Sequence, residues 1–478
     1  MFKVLRLCMQ LNPAQIGRSQ ASVNIRTSAA LGNISNFFSK DEKSENLPRH
    51  CDVLVIGGGC MGSSIAYWLK QRALEGLSVV VVERDPTVMF SNDIFEKVKY
   101  QQCTTVLSVG GLRQQFSLKE NIELSLDSAE FLRNIKVHLK VKGQEPPDIQ
   151  FQPSGYVFLA TEKSVDILED NVKLQRSLGA KVDLLTPEQL KKKFPWLNTE
   201  NIALGSHGLE NEGWFDPYSL LFAFKNKAVN LGAKYVCGDL ERFLIPENKF
   251  SIEKEGCGHQ INGAVIKLKD GTEHTIKFAV LVIAAGGCSG EVAKKVGIGT
   301  GTGDLAVPLP VEPRKRYVFN IHCPEGPGIS SPMIIDPSGA YFRREGLGGH
   351  YLCGISPPDE EEPLIDNLDV DYSFFEEKLW PILAHRCPAF ENAKLKSAWA
   401  GFYDYNKFDE NAFIGIHPAF INVYMATGFS GHGIQQSPAI GKAIMELIID
   451  GKYVTIDLER LSFKRLFTDE PLYESNIV

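Results

Sequence analysis

Three glycines and one acid carry the first chemical signal of this chain. Gly57-Gly58-Gly59-Cys60-Met61-Gly62 follows Asp52-Val53-Leu54-Val55-Ile56 and precedes Val79-Val80-Val81-Val82-Glu83. That order reads as strand, tight glycine turn, helix, strand and acid, the beginning of a dinucleotide-binding unit. Gly57 lets the chain turn sharply, Gly59 lets backbone approach a pyrophosphate, and Gly62 lets the helix pack close to the strand. The helix N-terminus then offers free N–H groups and the positive end of its dipole, a preference for an anion of roughly 0.3–1 kcal/mol at an exposed site. Glu83 falls about 20 residues after the last glycine, where a carboxylate accepts hydrogen bonds from ribose hydroxyls and disfavours a 2′-phosphate. Gly58 and Arg84 adjoin these positions and complete the contacts expected at this end. The motif alone leaves NAD and FAD open.

Further glycine-rich segments recur along the chain. Ser108-Val109-Gly110-Gly111-Leu112-Arg113 opens a long amphipathic helix, which places another helix start near the first. Val280-Leu281-Val282-Ile283-Ala284-Ala285-Gly286-Gly287 is a short apolar strand ending in glycines, expected to be central in a parallel sheet with a ligand at its carboxyl end. Ile334 to Arg343 reads as a hairpin turning at Pro337 to Gly339, and Tyr351 to Gly354 continues it as an antiparallel sheet. Last comes Val423 to Thr427, a strand, then Gly428-Phe429-Ser430-Gly431-His432-Gly433-Ile434-Gln435, with a helix expected from about Pro438 to Ile449. N–H groups at the start of that helix suit an electron-rich ring edge such as the pyrimidine end of a flavin. His432, packed between glycines, reads equally as structural or catalytic.

Bulk properties narrow the class. The 478 residues are 44% hydrophobic and 23% charged, enough for two or three domains' worth of core. A net charge of −7 without a basic stripe argues against nucleic acid. Lys191-Lys192-Lys193 follows Thr186-Pro187-Glu188-Gln189, a capping-box start, and reads as a solvated helix face. Ten cysteines without a CxxC pair or a Cys/His cluster indicate reduced thiols, no disulfide framework and no metal site. Cys60 reads as a small residue filling a tight turn. Residues 1–40 hold Lys3, Arg6, Arg18, Arg26 and Lys40 and no acid, the composition of a mitochondrial transit peptide, against the alternative of a disordered tail. No apolar run reaches the roughly 18 residues of a membrane span, so no transmembrane segment is expected.

Taken together, Gly57 to Gly62 with Glu83, Ser108 to Phe116, Ala284 to Gly287, Ala400-Gly401-Phe402-Tyr403-Asp404 and Gly428 to Pro438 resemble the FAD-dependent amino-acid oxidase family of sarcosine oxidase, dimethylglycine dehydrogenase and glycine oxidase. The likeness covers roughly residues 50 to 455. It implies an α/β fold, a Rossmann-like FAD-binding domain beside a second, mixed antiparallel-sheet α+β substrate domain. The implied boundaries are a leader at 1–45, FAD-binding pieces at 50–148, 212–308 and 395–455, substrate-type pieces at 149–211 and 309–394, and a tail at 456–478.

By the same resemblance Gly57, Gly58, Gly59, Gly62, Glu83 and Arg84 hold the ADP half of FAD. Ser108, Gly110, Gly111 and Arg113 lie along the pyrophosphate and ring, with Ala285 and Gly286 beside them. Gly431, His432, Gly433 and Ile434 meet the far edge of the ring. The implied chemistry is oxidation of a C–N bond in a small amine or N-methyl amino acid by hydride transfer to flavin, leaving an imine that water hydrolyses. Arg113, Tyr341, Arg343, His432 and Gln435 are the candidate catalytic residues, with no role separated among them.

Three departures from the family pattern bear on these expectations. No histidine lies at 104–112 and no cysteine follows Cys387, so the FAD is expected to be non-covalent. Gln435 stands where sarcosine oxidases place a carboxylate-binding lysine. The strand holding Phe402 and Tyr403 lacks the arginine of glycine oxidases, leaving Arg343, Arg344 or Arg316 for a carboxylate, each equally readable as a surface charge. The order of motifs and the leader are most similar to a mitochondrial matrix branch linked to assembly of respiratory complex I. That branch implies complex I subunits or assembly intermediates as partners and a flavoprotein or quinone as electron acceptor. A flavoprotein assembly or chaperone factor with little turnover is the alternative reading. An NAD-only dehydrogenase would leave the C-terminal glycine motif without a role.

Overall fold

Val53 and Val55 point to one side of their strand and Leu54 and Ile56 to the other, yet all four are buried. A strand apolar on both faces belongs in the middle of a covered parallel sheet. The computed structural model describes residues 47–84, 103–245 and 258–475 and puts it there; the arginine-rich leader lies outside the described residues. His50–Ile56 runs parallel to Val79–Glu83 on one side and to Glu273–Ile283 on the other. Val423–Thr427 extends the sheet in parallel beyond Glu273–Ile283, and Phe413–Ile416 closes that edge antiparallel. The expected central position of Val280 to Ile283 is therefore observed. Lys234–Phe243 and Glu273–Ile283 run on past the parallel region, and Gly263–Leu268 joins them antiparallel there.

Four helices, Cys60–Ala73, Lys119–Arg133, Pro217–Asn230 and Gly433–Ile449, cover the Val53/Val55 face of this sheet. The other face packs Leu54, Ile56, Val80 and Val82 against Val292, Ala293 and Phe463. The last of the four helices starts at Gly433, five residues before the expected Pro438. Proline inside a helix leaves the carbonyl four residues back without its amide. Here the Ser437 hydroxyl donates to that carbonyl, Ile434 O, at 2.9 Å, so the helix tolerates Pro438.

A second sheet has eight strands, in the order Lys394–Asn406, Val311–His322, His350–Gly354, Tyr341–Glu345, Met333–Ile335, Tyr156–Ala160, Leu204–Gly208 and Val182–Leu185. It is mixed: Met333–Ile335 and Tyr156–Ala160 pair in parallel and the other neighbours antiparallel. The expected hairpin between Ile334 and Phe342 and its continuation into Tyr351 to Gly354 are both present. One face buries Val157, Ile334 and Phe342 against Phe375, Leu383 and Phe390. The other presents Tyr156, Met333 and Ile335.

The segment expected to rejoin the FAD-binding part at residue 395 does so later. Lys394–Asn406 pairs along its whole length with Val311–His322, and the chain returns to the first sheet only at Phe413–Ile416. Residues 456–475, expected as a tail, bury Leu458, Leu461 and Phe463. No helix among the described residues is long and apolar enough to cross a membrane.

Candidate cofactor and active site

The glycine turn is shaped by contacts that admit no side chain. Gly57 has φ +108°, and a Cβ on it would lie 2.2 Å from Ala284 O. A Cβ on Gly62 would lie 1.9 Å from Gly57 O, which explains the close helix–strand packing. Gly59 differs, since its Cβ would meet only Thr105 Oγ1 at 3.2 Å and Cys103 Sγ at 4.0 Å among the described residues. The helix Cys60–Ala73 has neither a capping side chain nor an acid in its first turn; the Cys60 amide donates to Thr105 Oγ1 at 3.1 Å. Cys60 Sγ lies 3.1 Å from Ser437 Oγ and burial pushes its thiol up to about 12, an inert filler of the turn. Glu83 Oε2 accepts the Gly58 amide at 2.6 Å.

From this turn a cavity of about 1260 Å³ runs between the two sheets. Gly57, Gly59, Glu83, Arg84, Ala285 and Gly286 line one part, together with Asp239 and Cys288, whose Sγ accepts from Arg84 Nη2 at 2.5 Å. Ser108, Gly111, Arg113, Gly431, His432, Gly433, Ile434 and Gln435 line it further along. Tyr156, Met333 and Tyr341 of the second sheet, with Arg316, Phe402 and Tyr403, complete the wall.

The loop after Thr427 is turned by a buried carboxylate. Asp404 Oδ2 accepts the amides of Gly428 and Phe429 at 2.8 and 3.1 Å. Burial pushes its carboxyl up to about 6 against the pull of those two amides. His432 is buried between Phe116 and Phe429, with ring centroids at 5.4 and 6.5 Å, and neither ring nitrogen has a partner among the described residues. Burial first, and the charge of Arg113 second, push it down to about 3, so the ring is neutral near pH 7. An unpaired buried imidazole on a cavity wall awaits a hydrogen-bonding ligand.

The sequence candidates divide. Gly58, Gly62 and Gly110 shape the backbone without lining the cavity; a Cβ on Gly110 would lie 2.0 Å from Phe215 O. Arg113 packs its guanidinium over the rings of Phe116 and Phe158 at 4.0 and 5.1 Å and donates from Nη1 to Gln115 O at 2.5 Å. Gln435 spends Oε1 on the Arg113 amide at 2.7 Å. Tyr341 lines the cavity with its phenol pushed well up by burial, so it stays protonated.

Arg343, a candidate catalytic residue, does not line the cavity. It donates to Val109 O at 2.9 Å, Arg344 O at 3.0 Å and Glu345 Oε2 at 2.5 Å beside the Trp214 ring, so its charge serves the fold. Arg344 is likewise consumed by Pro327 O, Leu347 O and the Tyr351 hydroxyl. Two contributors had been given no role in the sequence. Thr105 carries no motif signal. Asp404 does carry one, as an acid ending an aromatic strand ahead of a glycine loop.

These features fit FAD. The open backbone at Gly59 would admit a pyrophosphate, the Glu83 carboxylate beside the turn would suit a ribose, and His432 offers an unpaired ring further along the cavity. Residues 52–447 match the family model described as FAD dependent oxidoreductase, and the chain belongs to that family. It is an FAD-dependent oxidoreductase, related to enzymes that oxidise amines and amino acids. The chain is 51% identical over 439 residues to "FAD-dependent oxidoreductase domain-containing protein 1" of Xenopus laevis, covering 90% of this chain and 85% of that protein. It is 24% identical to mitochondrial dimethylglycine dehydrogenase of Homo sapiens over 84% of this chain and 43% of that one. Among solved structures it resembles L-proline dehydrogenase from P. horikoshii, with TM-score 0.70 and 26% identity over 89% of this chain and all of that one.

Proposed function

We propose that the protein oxidises a C–N bond of a small amine or N-methyl amino acid held between the two sheets. The observation that carries this is one continuous cavity, which joins the glycine turn and Glu83 to the wall of Tyr341, Tyr403 and Arg316. FAD bound along it would supply a hydride acceptor for the carbon next to the substrate nitrogen. Gly59 and the start of the Cys60–Ala73 helix would hold the pyrophosphate, and Glu83 the ribose. The start of the Gly433–Ile449 helix, with His432, would hold the pyrimidine end. The protein orients the donor carbon and excludes water. His432 stays neutral and the phenols of Tyr341 and Tyr403 stay protonated, because burial pushes the first down and the others up. Neutral groups at these three positions suit an amine that arrives deprotonated.

The flavin is dissociable in this reading, since the chain has no histidine at 104–112 and no cysteine after Cys387. The leader's composition and the mitochondrial relative support a matrix location. Respiratory complex I subunits and a flavoprotein or quinone acceptor are the proposed partners. The assembly-factor reading is favoured by Gln435, which stands in place of a carboxylate lysine and is spent on the Arg113 amide. Acid precipitation of the purified protein, followed by anaerobic titration with N-methyl amines and N-methyl amino acids, tests the enzyme reading. Yellow supernatant and flavin bleaching by at least one compound support it; a flavin that no amine bleaches supports the assembly factor.

A further inference from the structure

Arg314 and Arg316 sit two residues apart on one face of Val311–His322, beside Tyr403 and Tyr405 of the neighbouring strand. Of the cations that line the cavity, Arg84, Lys267 and Lys295 gather near Asp239 and Leu240, and Arg113 is packed on two phenylalanines. Arg316 is the cation beside Tyr403, where the substrate end of the cavity lies. Its guanidinium is already met by a carboxylate of this chain. Glu362 accepts from Nη1 and Nη2 at 2.8 Å each, and Nη2 also donates to the Tyr403 hydroxyl at 3.1 Å. Nε is buried without a partner.

Glu362 is itself held from two sides. Arg314 Nη1 donates to Glu362 Oε1 at 3.0 Å and to Asp359 Oδ1 at 2.7 Å. The segment carrying these acids also contributes Ile355, Ser356 and Ile365 to the cavity wall.

We infer that Glu362 sets substrate specificity by occupying the carboxylate-reading face of Arg316, so that the cavity takes amines whose carboxyl group is absent or capped and turns away free amino acids. This rests on the amine-oxidising reading above. A bidentate arginine–carboxylate pair is geometrically specific, and a second carboxylate gains a place only by displacing the first. An incoming free acid would have to break both bonds to Arg316, release the bond from Arg314, and leave Glu362 charged and partly buried. An amide or a plain amine brings no carboxylate to compete with Glu362 for Arg316, and so leaves the pair intact. Discrimination therefore comes from an occupied site and not from a missing one.

The test compares N-methylglycine with N-methylglycinamide on the flavin-loaded protein, by calorimetry and by the flavin spectrum. Wild type binds the amide at least tenfold more tightly than the acid. Glu362→Gln tightens the acid at least tenfold and leaves the amide within threefold. Adding Arg316→Met to Glu362→Gln removes the gain, which ties it to that guanidinium. Glu362→Ala gives the same order should glutamine hold the loop differently. An acid that binds wild type as tightly as the amide, or that gains nothing in either Glu362 variant, overturns the inference. The calorimetric acid-to-amide ratio decides this even where no compound bleaches the flavin, the separate result that would count against the enzyme reading.

Discussion

Glu83 Oε2 accepts the amide of Gly58 at 2.6 Å, so the acid that ends one parallel strand is fastened to the glycine turn that ends its neighbour. That bond holds the carboxylate beside the start of the Cys60–Ala73 helix, where a ribose would meet it. Replacing Glu83 with Ala removes one or two charge-assisted bonds, each worth roughly 1.5–3 kcal/mol. FAD should then bind at least tenfold more weakly, as read by fluorescence titration of the apoprotein. An unchanged dissociation constant would remove Glu83 from the cofactor site.

The glycines of the turn separate binding from folding. Gly59→Val puts its side chain toward the cavity, where Thr105 Oγ1 at 3.2 Å is the nearest described atom to its Cβ. That variant should fold with a melting temperature near that of wild-type apoprotein and purify colourless. Gly62→Ala drives a Cβ to 1.9 Å from Gly57 O. The helix must move off the strand, and the apoprotein itself should melt several degrees lower. Equal flavin loss with equal destabilisation in both would contradict the division.

What the sequence revealed follows from how local each cause is. The turn at Gly57 to Gly62, its flanking strands and Glu83 fall within about thirty residues of chain, and each element has a periodic or conformational signature there. Val280 to Ile283 was legible as a central strand for the same reason. The role of Asp404 was not, although the residue stands in an aromatic motif, because its work is done on Gly428 and Phe429 across a gap of 24 and 25 residues. Nor does the sequence show that Arg343 is spent on Val109 O while Arg316 reaches the cavity. Both lie on strands of the same sheet, and only the crossing of the two sheets decides which one faces the ligand. The early start of the Gly433–Ile449 helix was hidden by Pro438, whose cost the Ser437 hydroxyl offsets within one turn.

His432 should make stability fall in acid. Its pKa is pushed down from 6.5 to about 3 in the folded chain, so folding favours the neutral ring. The contribution is complete above pH 6.5 and is lost as pH falls toward 3, at up to about 1.4 kcal/mol per unit. His207 and His417, each pushed down to about 4, act in the same direction. Urea unfolding at pH 7 and pH 5 should show wild type losing more stability on acidification than His432→Gln. Identical losses would mean that the ring is charged or solvated in the folded protein.

Asp409 and Arg465 form the buried pair that fastens the C-terminal segment. Arg465 Nε meets Asp409 Oδ2 at 2.6 Å and Nη2 meets Oδ1 at 3.0 Å. The same carboxylate accepts from Leu472 N at 3.0 Å and from Asn406 Nδ2 at 2.7 Å, and the Asn406 amide donates to Ser430 Oγ at 3.1 Å. The segment that follows the last long helix is thus joined through Asn406 to the loop carrying Gly431 and His432. Asp409→Ala strands a buried guanidinium and should cost about 3–5 kcal/mol, whereas an apolar pair at both positions, Asp409→Leu with Arg465→Met, should recover much of that loss. Guanidinium unfolding followed by both tryptophan and flavin fluorescence measures each variant. The flavin signal of Asp409→Ala should be lost at lower denaturant than that of wild type, because the loop and the tail share this carboxylate. A flavin midpoint that stays at the wild-type value while the tryptophan midpoint drops would show that the tail stabilises the fold without supporting the cofactor loop.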